Sequence, residues 1–479
     1  MNNMLDNPLA QDFTIKSLLK FAFPTMLTMV FMGLYTIGDT IFVSRFVNTD
    51  ALSAINIVTP VINLIVGLGT MLATGGSAII ARKMGEKKLK DASQDFTLIV
   101  FFGAMLGILI AIIGNLFLDD IIYFLGASEI LFPYCKDYLF VLLLFTPASM
   151  LQVLFQNLII TAGRPGFGMV LSISAGAINV MLDYIFMVLL DMGIKGSALG
   201  TGIGYLIPTI IGIVFFLTGK GSMQFKKPVF RFSVLSESCF NGCSEMISQA
   251  AAAVTTFLFN ATMLKLLGEN GVAAITIIIY SQFLLTTLYI GFSMGIAPVI
   301  SYNYGEQNHQ KLKRVFRICL HFIIMVSVLI FAISIFFGSY LVNIFSPIGT
   351  PVYNIAKNGF LIFSFSFLCC GINIFTSAIF TALSNVKISA TISFLRTFGL
   401  ITLLLLTLPR IWDVNGVWLA VPVAELITLI VSIVCLQRNK KTIITCKTTK
   451  LTVNKKNRCS AVKFLCAQQN ISNLTAVLK

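Results

Sequence analysis

The chain has 479 residues, of which 57% are hydrophobic and only 11% charged, against about 25% charged residues in an ordinary soluble domain. A soluble fold cannot hide that much apolar surface, so the composition excludes soluble enzymes and leaves a polytopic membrane protein. The formal net charge of +15 would suggest nucleic acid in a soluble chain; here the bases sit between apolar runs, where they report topology, and no nucleic-acid partner is expected.

The first sixteen residues are polar, include Asp6 and Asp12, and lack a basic stretch ahead of a short apolar core, so no cleavable signal peptide is expected. A helix needs ~20 apolar residues to cross the hydrocarbon core. Twelve runs meet that length: 15–43, 52–80, 95–118, 131–160, 165–190, 194–218, 237–264, 271–300, 314–337, 351–380, 386–409 and 414–437. Barrel strands would be far shorter and would alternate apolar with polar. Pro24, Pro60, Pro147, Pro208, Pro298 and Pro422 fall inside the runs and predict bends there.

Sliding the chain by 220 positions matches it to itself without a gap. Gly85-Glu86 falls on Gly305-Glu306, Ala54-Ile55 on Ala274-Ile275, Gly75 on Gly295, Thr161-Ala162 on Thr381-Ala382, and Gly196 on Gly416. The loops alternate in charge. One set holds Arg82, Lys83, Lys87, Lys88, Lys90, Arg164, Lys220, Lys226, Lys227, Arg231, Lys311, Lys313, Arg314 and Lys387; the other holds Asp50, Asp119, Asp120, Glu129, Asp191, Glu269 and Asp413. Basic loops mark the cytoplasmic side, so both termini are expected in the cytoplasm of a cell whose inner (plasma) membrane the chain crosses. The expected fold is all-α: twelve transmembrane helices in two parallel six-helix repeats around a central cavity, the arrangement of many secondary transporters. The expected divisions are an N-terminal lobe (1–218), a cytoplasmic linker (219–236), a C-terminal lobe (237–437) and a basic cytoplasmic tail (438–479), in a monomer.

A charge at the centre of a span costs about 2.5–3.5 kcal/mol on the insertion scale, and such residues mark ion or substrate paths. Asp39, Asp183, Glu245, Arg396 and Glu425 lie inside the runs. Asn179 and Asp183 share a helix face. Asp39, Asp183 and Thr201 all come out ~5–12 Å below the outer surface. Two carboxylates, an amide oxygen and a hydroxyl suit a small hard cation such as Na⁺; alternatively, two close carboxyl groups hold a proton. Glu245, near the cytoplasmic end of the seventh run, is placed to attract a cationic substrate. Arg396 and Glu425 come out at similar depth and are expected to form a structural ion pair. The ten Cys lie mostly in apolar runs without metal spacing, and His309 and His321 are too few for a His-based site. No nucleophile–base or metal constellation is present, so an enzyme is not expected, and neither is a resident cofactor.

With the duplicated six-helix halves, the Asp39 segment, the two Gly-Glu loops, Thr161-Ala162-Gly163-Arg164-Pro165 and Asn179-x-x-x-Asp183 in view, the chain resembles the MATE (multidrug and toxic compound extrusion) family over residues 12–437, and its MepA-like bacterial members in particular. The resemblance implies an antiporter. A coupling ion, Na⁺ or H⁺, would enter as a cationic amphipathic drug leaves, through alternation of inward-open and outward-open states. It places the ion site at Asp39, Asn179, Asp183 and Thr201, with Tyr35 and Tyr138 beside it, and Glu245 at an acidic position for substrate. Some members carry an acid on the tenth helix where this chain has Phe367-Leu368-Cys369-Cys370-Gly371. A flippase for lipid-linked oligosaccharides, from the same superfamily, is the alternative; it would favour a basic cavity, whereas most deep charges here are acids.

Overall fold

A computed structural model describes residues 8–47, 49–219 and 223–439. Residues 1–7, 220–222 of the linker and 440–479 of the basic tail lie outside the described residues. Every regular element among the described residues is helical. The first six spans run through α1 (Ile15–Phe46), α2 (Thr49–Gly85), α3 (Leu89–Leu116), a short surface turn α4 (Leu118–Phe124), the broken pair α5 (Phe132–Leu144) and α6 (Thr146–Thr161), α7 (Pro165–Asp183) and α8 (Gly193–Leu217). The second six run through α9 (Phe232–Gly305), α10 (His309–Phe345), the broken pair α11 (Pro351–Phe363) and α12 (Ser366–Ala382), α13 (Val386–Phe394) leading to α14 (Leu400–Thr407), and α15 (Pro409–Arg438).

Among the described residues, nine helices are long and apolar enough to cross a membrane, and each of the two broken pairs passes as one further span. The 74 residues of α9 would reach about 110 Å if straight, far beyond a hydrocarbon core of ~30 Å. The element doubles back at Gly268, whose φ of 64° and ψ of −151° no side-chain-bearing residue adopts comfortably. Both ends of α9 accordingly meet the same stretch of α2: Gly75 packs on the Ser238 backbone and Gly85 on Tyr302. Counting α9 twice gives the twelve crossings. Their outward faces are apolar, as in α3, where Phe101, Met105, Ile108, Ile112 and Leu116 are all exposed.

Most of the prolines do not coincide with a break between helices. Pro24, Pro60, Pro208, Pro298 and Pro422 each sit inside a helical stretch that continues on both sides of the proline. The two broken pairs, bent by 55° each, are α5 with α6 and α11 with α12, and only the first has a proline, Pro147, beside its break. A hydroxyl competes for a backbone carbonyl at each break. Thr146 Oγ1 donates to the Leu142 carbonyl (3.3 Å) and Ser364 Oγ to the Phe360 carbonyl (2.7 Å); such back-bonding bends helices. Two further spans widen locally into π-helix, at Tyr184–Leu189 immediately after α7 and at Leu395–Gly399 between α13 and α14.

The halves meet along a seam of glycines on the side of the basic loops. Gly75, Gly85, Gly242, Gly291, Gly295 and Gly305 each lie so close to the facing helix that a methyl group would overlap it. The contacts are reciprocal: Gly85 lies against Tyr302 and Glu306, and Gly305 against Arg82. Arg82 of α2 also donates to Glu237 (2.9 Å) and Ser384 (3.1 Å) of the other half.

Candidate functional site

Three helices each present two polar side chains one turn apart to the interior of the N-terminal half. Tyr35 and Asp39 come from α1, Asn179 and Asp183 from the end of α7, and Thr201 and Tyr205 from α8. The Tyr35 hydroxyl donates to Asn179 Oδ1 at 2.6 Å. The Asp39 and Asp183 carboxyl groups lie close enough to interact directly. Asp183 is 1% exposed, and Asn179, Thr201 and Tyr138 are also buried. Tyr138 and Tyr205 lie within electrostatic range of the acids. Asp183 reaches this position because α8 offers it no side chain: the bare Gly200 lies directly against Asp183 Oδ1, and a methyl there would overlap the carboxylate.

Asp39 Oδ1, Asp183 Oδ1, Thr201 Oγ1, Ser197 Oγ and Asn179 Nδ2 have no hydrogen-bond partner among the described residues. Buried polar atoms normally find partners, and here five such atoms belong to one cluster. Two carboxylate oxygens and a hydroxyl offer oxygen to a proton or a small cation. The Asn179 oxygen is already taken by Tyr35, and its free amide nitrogen is a donor, so it adds less to a cation than its type suggested. A cavity of about 320 Å³ reaches Asp39 and Asp183 between α1 and α7.

The C-terminal half holds a second buried polar group, differently built. Arg396, inside the π-helical turn, donates from Nε to Glu425 Oε1 at 2.8 Å and from Nη2 to Cys370 Sγ at 3.5 Å. Asn373 Nδ2 donates to Glu425 Oε2 (2.7 Å), and Ser432 Oγ to Asn373 Oδ1 (2.8 Å). Glu425 is 2% exposed and both its oxygens are bonded. Glu245 lies within electrostatic range of Arg396, near the seam where Gln249, one turn further, touches Gly67 of α2.

The structure thus gathers Tyr35, Asp39, Tyr138, Asn179, Asp183 and Thr201 into one cluster and places Glu245, Arg396 and Glu425 in another. Sequence reasoning missed Tyr205, although it follows Thr201 by one turn, and Gly200, whose importance lies in what it lacks. It missed Asn373 and Ser432 because single polar residues in apolar runs are common. Asp95, fully buried against Lys83 with Arg231 at 3.5 Å, was read only as the start of a span.

Duplicated six-span halves, a closed seam on one side and a buried acid pair open to a cavity define a multi-pass membrane transporter. The chain belongs to the MatE family, whose pattern matches residues 24–185 and 246–406. It is similar to "Multidrug export protein MepA" of Staphylococcus haemolyticus (strain JCSC1435), with 24% identity over 364 residues, 74% of this chain and 80% of that protein. Its fold is similar to the solved structure described as "Crystal structure of MATE in complex with MaD3S", with a TM-score of 0.85 and 20% identity over 92% of this chain and 99% of that one. It is equally similar to "Outward-facing conformation of a multidrug resistance MATE family transporter of the MOP superfamily", with a TM-score of 0.85, 20% identity and the same shares.

Proposed function

We propose that this chain is a multidrug efflux antiporter that exports cationic amphipathic compounds in exchange for Na⁺ or H⁺ by alternating access. In this reading it works as a monomer in the plasma membrane with both termini cytoplasmic. The observation that carries it is the Asp39–Asp183 pair, two neighbouring carboxyl groups in the interior of the N-terminal half, each with an oxygen that has no partner among the described residues, beside a cavity. The names of its relatives, which speak of multidrug export, support the cargo class. In the state seen, the glycine seam is shut on the basic-loop side, so the exit lies toward the acidic loops.

Binding of an ion at Asp39 and Asp183 removes the negative charge that holds a cationic cargo. Coupling follows because the ion binds one state of the lobes better than the other. A lipid-linked glycan flippase is less well supported: its pyrophosphate needs free bases, and the deep guanidinium of Arg396 is already paired with Glu425.

The test is ethidium efflux from proteoliposomes under separately imposed sodium and pH gradients. One gradient should drive efflux and the other should not. Asp183→Asn should abolish gradient-driven efflux with membrane insertion unchanged. Full activity in that variant would reject the assignment.

A further inference from the structure

Residues 223–231 run without regular structure from the N-terminal half into α9, and this strap has two unlike faces. One is moored to the N-terminal half. Met223 is buried, the Phe225 ring packs on Phe96 of α3 at 4.9 Å and on Phe216 of α8 at 6.3 Å, and the Lys226 amide donates to Thr97 Oγ1 at 3.1 Å. Arg231 donates to Asp91 (3.3 Å) and Asp95 (3.5 Å) of α3. The other face is bare. Arg231 has extended backbone, which turns Phe230 and Phe232 away from it, and these rings are 76% and 72% exposed. Lys226 and Lys227 are exposed on the same strap and have no ion-pair partner among the described residues. The acids of this region are already taken: Asp91 by Arg231, Asp95 by Lys83 and Arg231, and Glu237 by Arg82.

Thr97 fixes the height of the strap in the membrane. Phe101 and Met105 follow it at four-residue steps and begin the exposed apolar face of α3. The strap therefore lies ~6 Å below the first lipid-facing side chain, where headgroups meet acyl chains. Bases at that depth attract anionic lipid. We propose that residues 226–232 form a binding site for an anionic phospholipid of the leaflet on the basic-loop side, its phosphate held by Lys226 and Lys227 and its acyl chains lying against Phe230 and Phe232. The basic tail, 438–479, has no acidic side chain, so these lysines repel it. A zwitterionic lipid brings an ammonium that offsets its own phosphate. The bound lipid ties the bilayer to the segment that joins the halves, and the site does not rest on the efflux reading.

The experiment uses the full chain with Phe230→Trp in phosphatidylcholine nanodiscs that contain a growing share of either phosphatidylglycerol or phosphatidylcholine brominated near the carbonyl end of its acyl chains. The parent chain, measured alongside, supplies the emission of Trp412 and Trp418 for subtraction. Quenching of the added tryptophan should reach half its maximum at about tenfold less brominated phosphatidylglycerol than brominated phosphatidylcholine, the order expected for two lysines facing an anionic headgroup. Adding Lys226→Gln with Lys227→Gln should erase the preference while both lipids still quench. Lys313→Gln, which removes an exposed base of the other half, should keep it. Equal half-points for the two lipids, or a preference that survives the double lysine variant, would overturn the site. So would the absence of quenching by either lipid, which would place Phe230 against water or a second copy of the chain. Ethidium efflux is read separately: a chain that keeps the lipid preference but moves no ethidium counts against the efflux reading alone.

Discussion

At the scale of single residues, the two polar clusters behave differently because their charges are matched differently. Arg396 and Glu425 neutralise each other, and Asn373, Ser432 and Cys370 satisfy most of what remains. Removing one partner of such a pair leaves an uncompensated buried charge, which costs about 3–5 kcal/mol. Arg396→Ala and Glu425→Ala should therefore each lower the melting temperature in detergent sharply, and Arg396→Met with Glu425→Met should recover much of the loss. Independent, additive effects would show that the pair does not act as a unit. The acid pair is the opposite case, with oxygens left free. Gly200 sets where Asp183 points, so Gly200→Ala should displace the carboxylate and cut efflux by about 10²-fold, in line with the sensitivity of positioned groups to shifts near 1 Å. Gly166→Ala, where nothing lies within 4 Å, is the control and should transport normally. If the two variants behave alike, the positioning argument fails. The Asp39, Asn179 and Asp183 cluster was legible in the sequence because charge in an apolar run is costly. Gly200 was not legible, since its role is a distance between two helices and leaves no periodic mark.

Among the elements, the number of crossings was legible and their internal breaks were not. Apolar length counts spans directly, and the polar gap at Lys265, Glu269 and Asn270 marked the fold-back inside α9. The breaks at 145 and 365 are one repeat length apart and share a 55° angle, yet Pro147 has no proline counterpart in the second half, where Phe367 stands. The bend therefore belongs to the repeat and not to proline. A hydroxyl that back-bonds is one signal among many Ser and Thr in these spans, too common to read in advance. Gly268 gives the sharpest test at this scale. A methyl there meets nothing within 4 Å, but the backbone conformation is one that glycine alone tolerates. Gly268→Ala should cost about 1–3 kcal/mol through backbone strain alone, read as a lower unfolding temperature. No change would mean that α9 can turn without this conformation.

In the whole molecule the repeat becomes a physical symmetry. Gly85 lies on the Tyr302 backbone and Gly305 on the Arg82 backbone; Lys87 and Gln307, one repeat length apart, both take positive φ, 61° and 57°, in the turns that follow. A shared axis makes these two contacts equivalent, and together they hold the basic-loop side shut. The bond from Arg82 to Glu237 also crosses the seam, but its side chains are 21% and 42% exposed, and such partly exposed pairs contribute only about 0–1 kcal/mol. Overpacking a close contact costs about 1–3 kcal/mol. The seam should therefore be governed by the glycines. Gly85→Ala and Gly305→Ala should each open it, to a similar degree, while Glu237→Gln should shift the balance of states less than about fivefold. Hydrogen–deuterium exchange of peptides covering 80–86 and 300–306 measures this. Exchange should speed up in both peptides in either glycine variant, because parting one contact parts its symmetry mate. Faster exchange in only the substituted half would show that the two contacts open independently, and that the halves do not rock as rigid bodies about one axis.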